Sequence, residues 1–179
     1  MNNTEKTMRI AYVGLLAGVL ACAAARADIE SVGGDVTFRG RLVAQPCVIV
    51  TDSIEVVMDP LSARELEQHG GKGPPKAFNI ELTQCSTSVL SSVVVLFEGK
   101  QDAVLNGRLE TTGKAKGIAL RLLNGKDGSV IDINQPAKAL ALQPGDNQLP
   151  FAVYVEAQKE RPVEGGDFAA NANFKLSYQ

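Results

Sequence analysis

Few residues of this chain are of a type that does chemistry. There is one histidine in 179 residues, His69. It precedes Gly70 and Gly71 and has no cysteine or carboxylate at the spacing of a metal site or a catalytic triad. That is the pattern of a solvated loop histidine. Glu65 and Glu67 fall on a short predicted helix but are two residues apart, so they do not share a face. Ser53 and Ser62 lack a base, and no glycine-rich phosphate loop follows a predicted strand. The sequence therefore predicts no catalytic residue, no metal site and no cofactor, and the protein is not expected to be an enzyme. Its three cysteines, Cys22, Cys47 and Cys85, are what remains, and their chemistry depends on compartment.

The beginning of the chain sets that compartment. Lys6 and Arg9 form a positive n-region, residues 10–21 an apolar and small-residue run, and Ala25-Arg26-Ala27 an A-x-A cleavage site before Asp28. Residues 1–27 read as a secretory signal peptide, since the run falls short of the roughly 20 residues that span a bilayer. A competing reading takes Val19-Leu20-Ala21-Cys22 as a lipoprotein box with Cys22 as a lipid-bearing N-terminus. The downstream A-x-A site, and the even cysteine count left when Cys22 is removed, favour cleavage after Ala27. In a secreted chain the expected state of Cys47 and Cys85 is a disulfide rather than a free or metal-bound pair. Closing such a loop stabilises by roughly 3 to 4 kcal/mol.

Whole-chain charge is 18 basic against 20 acidic residues. The predicted signal holds Lys6, Arg9, Arg26 and Glu5, so residues 28–179 keep 15 basic and 19 acidic, net −4. A mildly acidic surface without a basic, aromatic-interleaved run gives no reason to expect nucleic acid or an anionic membrane as partner.

The elements holding the two cysteines read as strands. Residues 48–50 and 54–58 are β-branched apolar segments, and Asp59-Pro60 breaks the second. Residues 62–69 form the one predicted helix, with Ser62 and Glu65 as a capping box and Gly70-Gly71 as its end. Residues 70–75 read as an exposed loop. Phe78, Ile80 and Leu82 alternate with Asn79, Glu81 and Thr83 and lead into Cys85. Residues 93–97 are continuously apolar, as in a central strand buried on both sides or one crossing from edge to core. Residues 118–123 and 130–133 flank Asn124-Gly125-Lys126-Asp127-Gly128 and predict a hairpin. Residues 149–155 give a further strand with Pro150 near its start. Many short strands and almost no helix predict an all-β sandwich of the immunoglobulin class.

Two stretches at the ends of this sandwich stand out. In the first, Val32, Gly34, Val36 and Phe38 fall on one face and Gly33, Asp35, Thr37 and Arg39 on the other. A glycine among apolar side chains marks a strand that another backbone or a tight pocket approaches closely, although an ordinary first strand would also fit. In the second, Phe174, Leu176 and Tyr178 share a face and Gln179 follows at once. It reads either as the last strand of a complete sandwich or as the edge of a sandwich one strand short.

The segment Val32-Gly33-Gly34-Asp35-Val36-Thr37-Phe38-Arg39-Gly40, Cys47 beyond it, Phe78-Asn79-Ile80-Glu81-Leu82 running to Cys85, and Phe174-Lys175-Leu176-Ser177-Tyr178-Gln179 together resemble structural subunits of chaperone-usher fimbriae, the type 1-like pilins. The resemblance covers essentially all of residues 28–179; the loops 70–75 and 160–166 look individual to this chain. It implies an incomplete immunoglobulin-like β-sandwich (41–179) lacking its last strand, preceded by an N-terminal donor-strand arm (28–40). In such subunits a periplasmic chaperone lends the missing strand, and at an outer-membrane usher the arm of the next subunit replaces it. Carried onto this sequence, Val32, Gly34, Val36 and Phe38 would fill the groove, with Gly34 at its constriction. Phe174, Leu176 and Tyr178 would line the chaperone contact, and the Gln179 carboxylate would be its anchor. The expected partners are identical or related pilin subunits in an open-ended filament, and the expected location is the fimbria on the bacterial cell surface. Two alternatives stay open: a self-contained adhesive or sugar-binding sandwich, or a minor adaptor or terminator subunit. The absence of tryptophan counts against sugar stacking, the length of residues 28–179 leaves no room for the extra lectin domain of a tip adhesin, and the intact alternation of residues 32–38 counts against a terminator.

Overall fold

Alternating side chains become strands here wherever the apolar set can be buried between two sheets. The computed structural model describes residues 33–40, 46–50 and 52–179. The predicted signal peptide, Cys22 and Val32 lie outside these residues. The chain divides into two units, 1–42 and 43–179. In the first, residues 33–40 have no regular secondary structure. Val36 is 74% and Phe38 91% exposed.

The second unit is built from β1 (Val48–Ile49), a helix α1 (Ala63–Gln68), β2 (Lys76–Cys85), β3 (Ser92–Gly99), β4 (Leu109–Glu110), β5 (Thr112–Gly113), β6 (Ile118–Asn124), β7 (Val130–Ile131), β8 (Leu140–Ala141), β9 (Gly145–Ala157), β10 (Phe168–Ala169) and β11 (Ala172–Tyr178). One sheet runs β1-β2-β9-β6-β4, with β7 also on β6; the other runs β11-β3-β8, and β10 pairs β5. Every described ladder between these strands is antiparallel. Ile80 and Leu82 of β2, Leu149, Phe151, Val153 and Val155 of β9, and Ile118, Leu120 and Leu122 of β6 bury one face of the first sheet against Val93, Val95 and Phe97 of β3. Phe97 meets Phe151 edge-on at a centroid distance of 5.0 Å, an arrangement that joins the two sheets and adds to simple burial. The predicted hairpin is present, with Leu122 opposite Ile131. So is α1, whose N-cap Ser62 and Glu65 form the reciprocal capping box.

Cys47 and Cys85 form the disulfide. A bulge makes it possible. Ile80 and Leu82 face the core, so an unbroken strand would turn Gln84 inward and Cys85 outward. Instead the register shifts between Leu82 and Cys85, Gln84 adopts a left-handed φ of 54°, and the extra residue rotates Cys85 into the core.

Three expectations need correction. Residues 93–97 are not buried on both sides: Val93, Val95 and Phe97 are buried and Val94 and Leu96 only half-buried, because one face of β3 lies on the core and the other looks outward. Pro150 is in the interior of β9, opposite Asn79. Its carbonyl accepts from the Gly125 N–H, so its nitrogen also points to the side where β6 has already ended and no ladder bond is forfeited. Residues 70–75 are an exposed loop only in part: Gly70, Lys72, Pro74 and Pro75 are exposed, but the loop is pinned to β9, since the Gly73 N–H donates to the Val155 carbonyl and the Ala157 N–H to the Gly71 carbonyl. Gly73 is buried, and a Cβ there would meet Leu61 Cδ2 at 2.8 Å.

Candidate functional site

The site follows from the backbone of β11. Its residues pair with β3 from Ala172 opposite Gly99 to Tyr178 opposite Val93, and the ladder continues at Gln179. The Gln179 N–H donates to the Ser92 carbonyl and the Ser92 N–H to Gln179 O. That exchange makes Ser92 and Gln179 a hydrogen-bonded pair, and in an antiparallel ladder such pairs alternate with pairs that turn their backbone groups away. Asn173, Lys175 and Ser177 therefore bond to β3, while the N–H and C=O groups of Phe174, Leu176 and Tyr178 point to the opposite edge. The far side of β3 confirms the phase, since the Val95 and Phe97 carbonyls accept there from the Ala137 and Asn134 N–H groups. Among the described residues β11 has β3 as its sole strand partner. Six consecutive outward backbone groups are thus left without a partner there, a strand edge ready to template another.

The side chains of the same three residues are unfinished as well. Phe174, Leu176 and Tyr178 pack against the core yet are only half-buried. Burial nonetheless raises the Tyr178 phenol above its ordinary pKa, as expected where a charged phenolate would be poorly solvated. A second half-buried set comes from residues 52–60, which have no regular secondary structure. There Ile54, Val56 and Met58 pack against the core while Glu55 and Val57 face solvent. The alternation is that of a strand, but no ladder partner stands beside it among the described residues. The strand expected over residues 54–58 is not formed: the segment is apolar and alternates, but without a ladder partner among the described residues it stays unpaired, and its half-burial beside the site is visible only in three dimensions.

On the outer face of β11, Lys175 reaches across to β3 and meets both oxygens of Glu98 at 2.9 and 2.8 Å. Gln179 is exposed, and its backbone O is held by the Ser91 and Ser92 N–H groups. Among the described residues no group of histidine, cysteine or carboxylate side chains has the arrangement of a metal site. This surface can do one thing well: take up an extended chain, bonding its backbone to β11 and covering its alternate side chains over the half-buried apolar rows.

An immunoglobulin-like sandwich with an unpartnered edge strand above exposed apolar core is a strand-accepting domain. The comparison with known proteins gives that class its family. The Fimbrial protein family model matches residues 36–179, and the chain belongs to this family. It is 36% identical to the Fimbria A protein of Serratia marcescens over 149 residues, covering 82% of this chain and 84% of that protein. Against the fimbrial adapter PapK of Escherichia coli it is 32% identical over 176 residues, covering 90% and 97%. Among solved structures it resembles a subunit of a chaperone-usher pilus, with a TM-score of 0.67 and 28% identity over 84% of this chain and 98% of that one.

Proposed function

We propose that the chain is a structural subunit of a chaperone-usher fimbria, in which residues 28–40 are a donor arm and residues 41–179 the accepting domain, with residues 1–27 a signal peptide removed on export. The single observation that carries this reading is the outward row of backbone groups at Phe174, Leu176 and Tyr178, above side chains left half-buried. Val32, Gly34, Val36 and Phe38 of a neighbour's arm supply the missing alternation. The periplasmic chaperone occupies the same edge beforehand and binds the Gln179 carboxylate through basic side chains. The usher exchanges one strand for the other, and the filament grows on the cell surface without catalysis by this chain. Each buried apolar side chain of the arm contributes roughly 1.5 to 3 kcal/mol, enough for several together to make dissociation very slow. Because donor and acceptor surfaces differ, joining is head-to-tail and open-ended.

The similarity to an adapter supports a second role on the same mechanism, that of a minor subunit at a junction of the fibre. The test of the shared mechanism is Gly34→Arg in the full chain, produced with its chaperone. Loss of polymer growth with the soluble chaperone complex retained is expected, since the substitution lies in the arm and leaves the domain intact. Polymerisation at the unsubstituted rate would refute the donor-arm reading.

A further inference from the structure

The outer face of β11 carries information that the groove does not. Lys175 is the sole charged residue of β11. Its ammonium has three donors, the two oxygens of Glu98 take part of that capacity, and the side chain is still 64% exposed. It lies between Leu176 and Phe174, in a position whose backbone bonds to β3 and whose side chain faces solvent. An incoming strand therefore meets Lys175 in a pair without hydrogen bonds to it, the kind in which facing side chains are closest.

The arm has one acidic residue between Val32 and Phe38, namely Asp35, and it falls on the face opposite Gly34 and Val36. Antiparallel alignment, the sense of every described ladder in this fold, can seat the arm in few registers. A shift of one residue turns its apolar face to solvent. Of the in-phase registers, one sets Phe38 against Ala172, Val36 against Phe174, Gly34 against Leu176 and Val32 against Tyr178, so that the bulkiest arm residue faces the smallest acceptor residue and the glycine faces a leucine. In that register Asp35 lies directly opposite Lys175. A shift of two residues either way keeps the apolar face inward but places Asp35 against the uncharged Asn173 or Ser177.

We propose that Asp35 of one copy and Lys175 of the next form an ion pair across the subunit junction, fixing the register of the donor arm and matching this chain to a second copy of itself. The inference rests on the donor-arm reading above. It adds a selecting element on the solvent face: Glu98, Lys175 and Asp35 alternate in sign across three adjacent strands, so a wrong register or a neutral arm forfeits the pair. Being solvent-exposed, the pair weakens with salt over the range in which the Debye length falls below about 8 Å.

The experiment is a charge-swap cycle with the full mature chain held by its periplasmic chaperone, displaced by synthetic peptides of residues 28–42. Four combinations are timed at low salt: unsubstituted or Lys175→Glu chain with unsubstituted or Asp35→Lys peptide. Each single reversal places like charges opposite one another and is expected to slow displacement about five- to tenfold. The double reversal is expected to recover most of that loss, and the coupling should fade in high salt. The cycle separates the junction from any effect of Lys175→Glu on its own domain, because that effect is common to both peptides. Additive single effects without recovery would overturn the register proposal. A Gly34→Arg peptide serves as the control for the underlying reading. If it displaces the chaperone as fast as the unsubstituted peptide, the donor-arm reading fails; if it is inert while the charges prove uncoupled, the ion pair alone fails.

Discussion

Single residues decide how this sandwich holds its shape around an unfinished edge. Arg108 donates from Nε and Nη2 to the two oxygens of Glu156 at 2.8 and 2.9 Å, tying the turn before β4 to the end of β9. Hydrogen bonding from Arg108 holds the Glu156 carboxyl below its ordinary value, against the opposing effect of burial. A depressed folded-state pKa means that the stabilisation is fully present above the unfolded value of about 4.3 and is lost as pH falls through the folded one. Glu156→Gln should therefore lower stability at pH 7 by about 1 to 2 kcal/mol. The gap from the unsubstituted chain should shrink as pH falls through the lowered folded-state pKa of Glu156, where its carboxyl takes up a proton and the ion pair is lost. Denaturant titrations in a series from pH 7 downward check both statements; a gap that never narrows before the unsubstituted chain itself unfolds in acid would count against the pair. Such a pair joins residues 48 apart in the chain, and no local pattern around Arg108 or Glu156 points to the other.

At the scale of elements, the period-two rule makes β2 and β11 readable, because each turns an apolar row to the core and a polar row outward, whereas β6, buried on both faces, and β9 are readable only as apolar runs bounded by turn residues. It failed where a ladder bends. Cys85 has the wrong parity after Ile80 and Leu82, and only the bulge at Gln84 brings it to Cys47; a bulge leaves no mark in residue type when its left-handed position is not glycine. Residues 93–97 look like a doubly buried strand because Val94 and Leu96 are apolar although half-buried, so composition hid the outer face of β3. The half-burial of Ile54, Val56 and Met58 was equally hidden, since apolar alternation without a partner strand reads like any other strand. The disulfide ties the start of β1 to the end of β2, and β1 is only two residues long. Replacing Cys47 and Cys85 together by alanine should cost about 3 to 4 kcal/mol, measured as a lower denaturation midpoint than that of the unsubstituted chain held oxidised. An unchanged midpoint would mean that the short β1 ladder holds that end of the chain unaided.

For the whole molecule, the alternation of residues 32–38 is legible in the residues, while the donor role of the arm comes from the resemblance to pilins and not from the residues alone. Val36 and Phe38 stand exposed, and in the proposed polymer they are covered by the groove of a neighbouring copy. The open edge of β11 is the reciprocal fact. Its phase, with Phe174, Leu176 and Tyr178 turned outward, follows from a ladder that only the folded chain displays, even though the three residues share a face in the sequence. Amide hydrogen exchange reads this phase directly. In monomeric full chain the amides of Asn173, Lys175 and Ser177 should be protected and those of Phe174, Leu176 and Tyr178 should exchange rapidly; in the polymer all six should be protected. Outward amides that remain fast in the polymer, or that are already protected in the monomer, would contradict the account of a sandwich completed by another copy's strand.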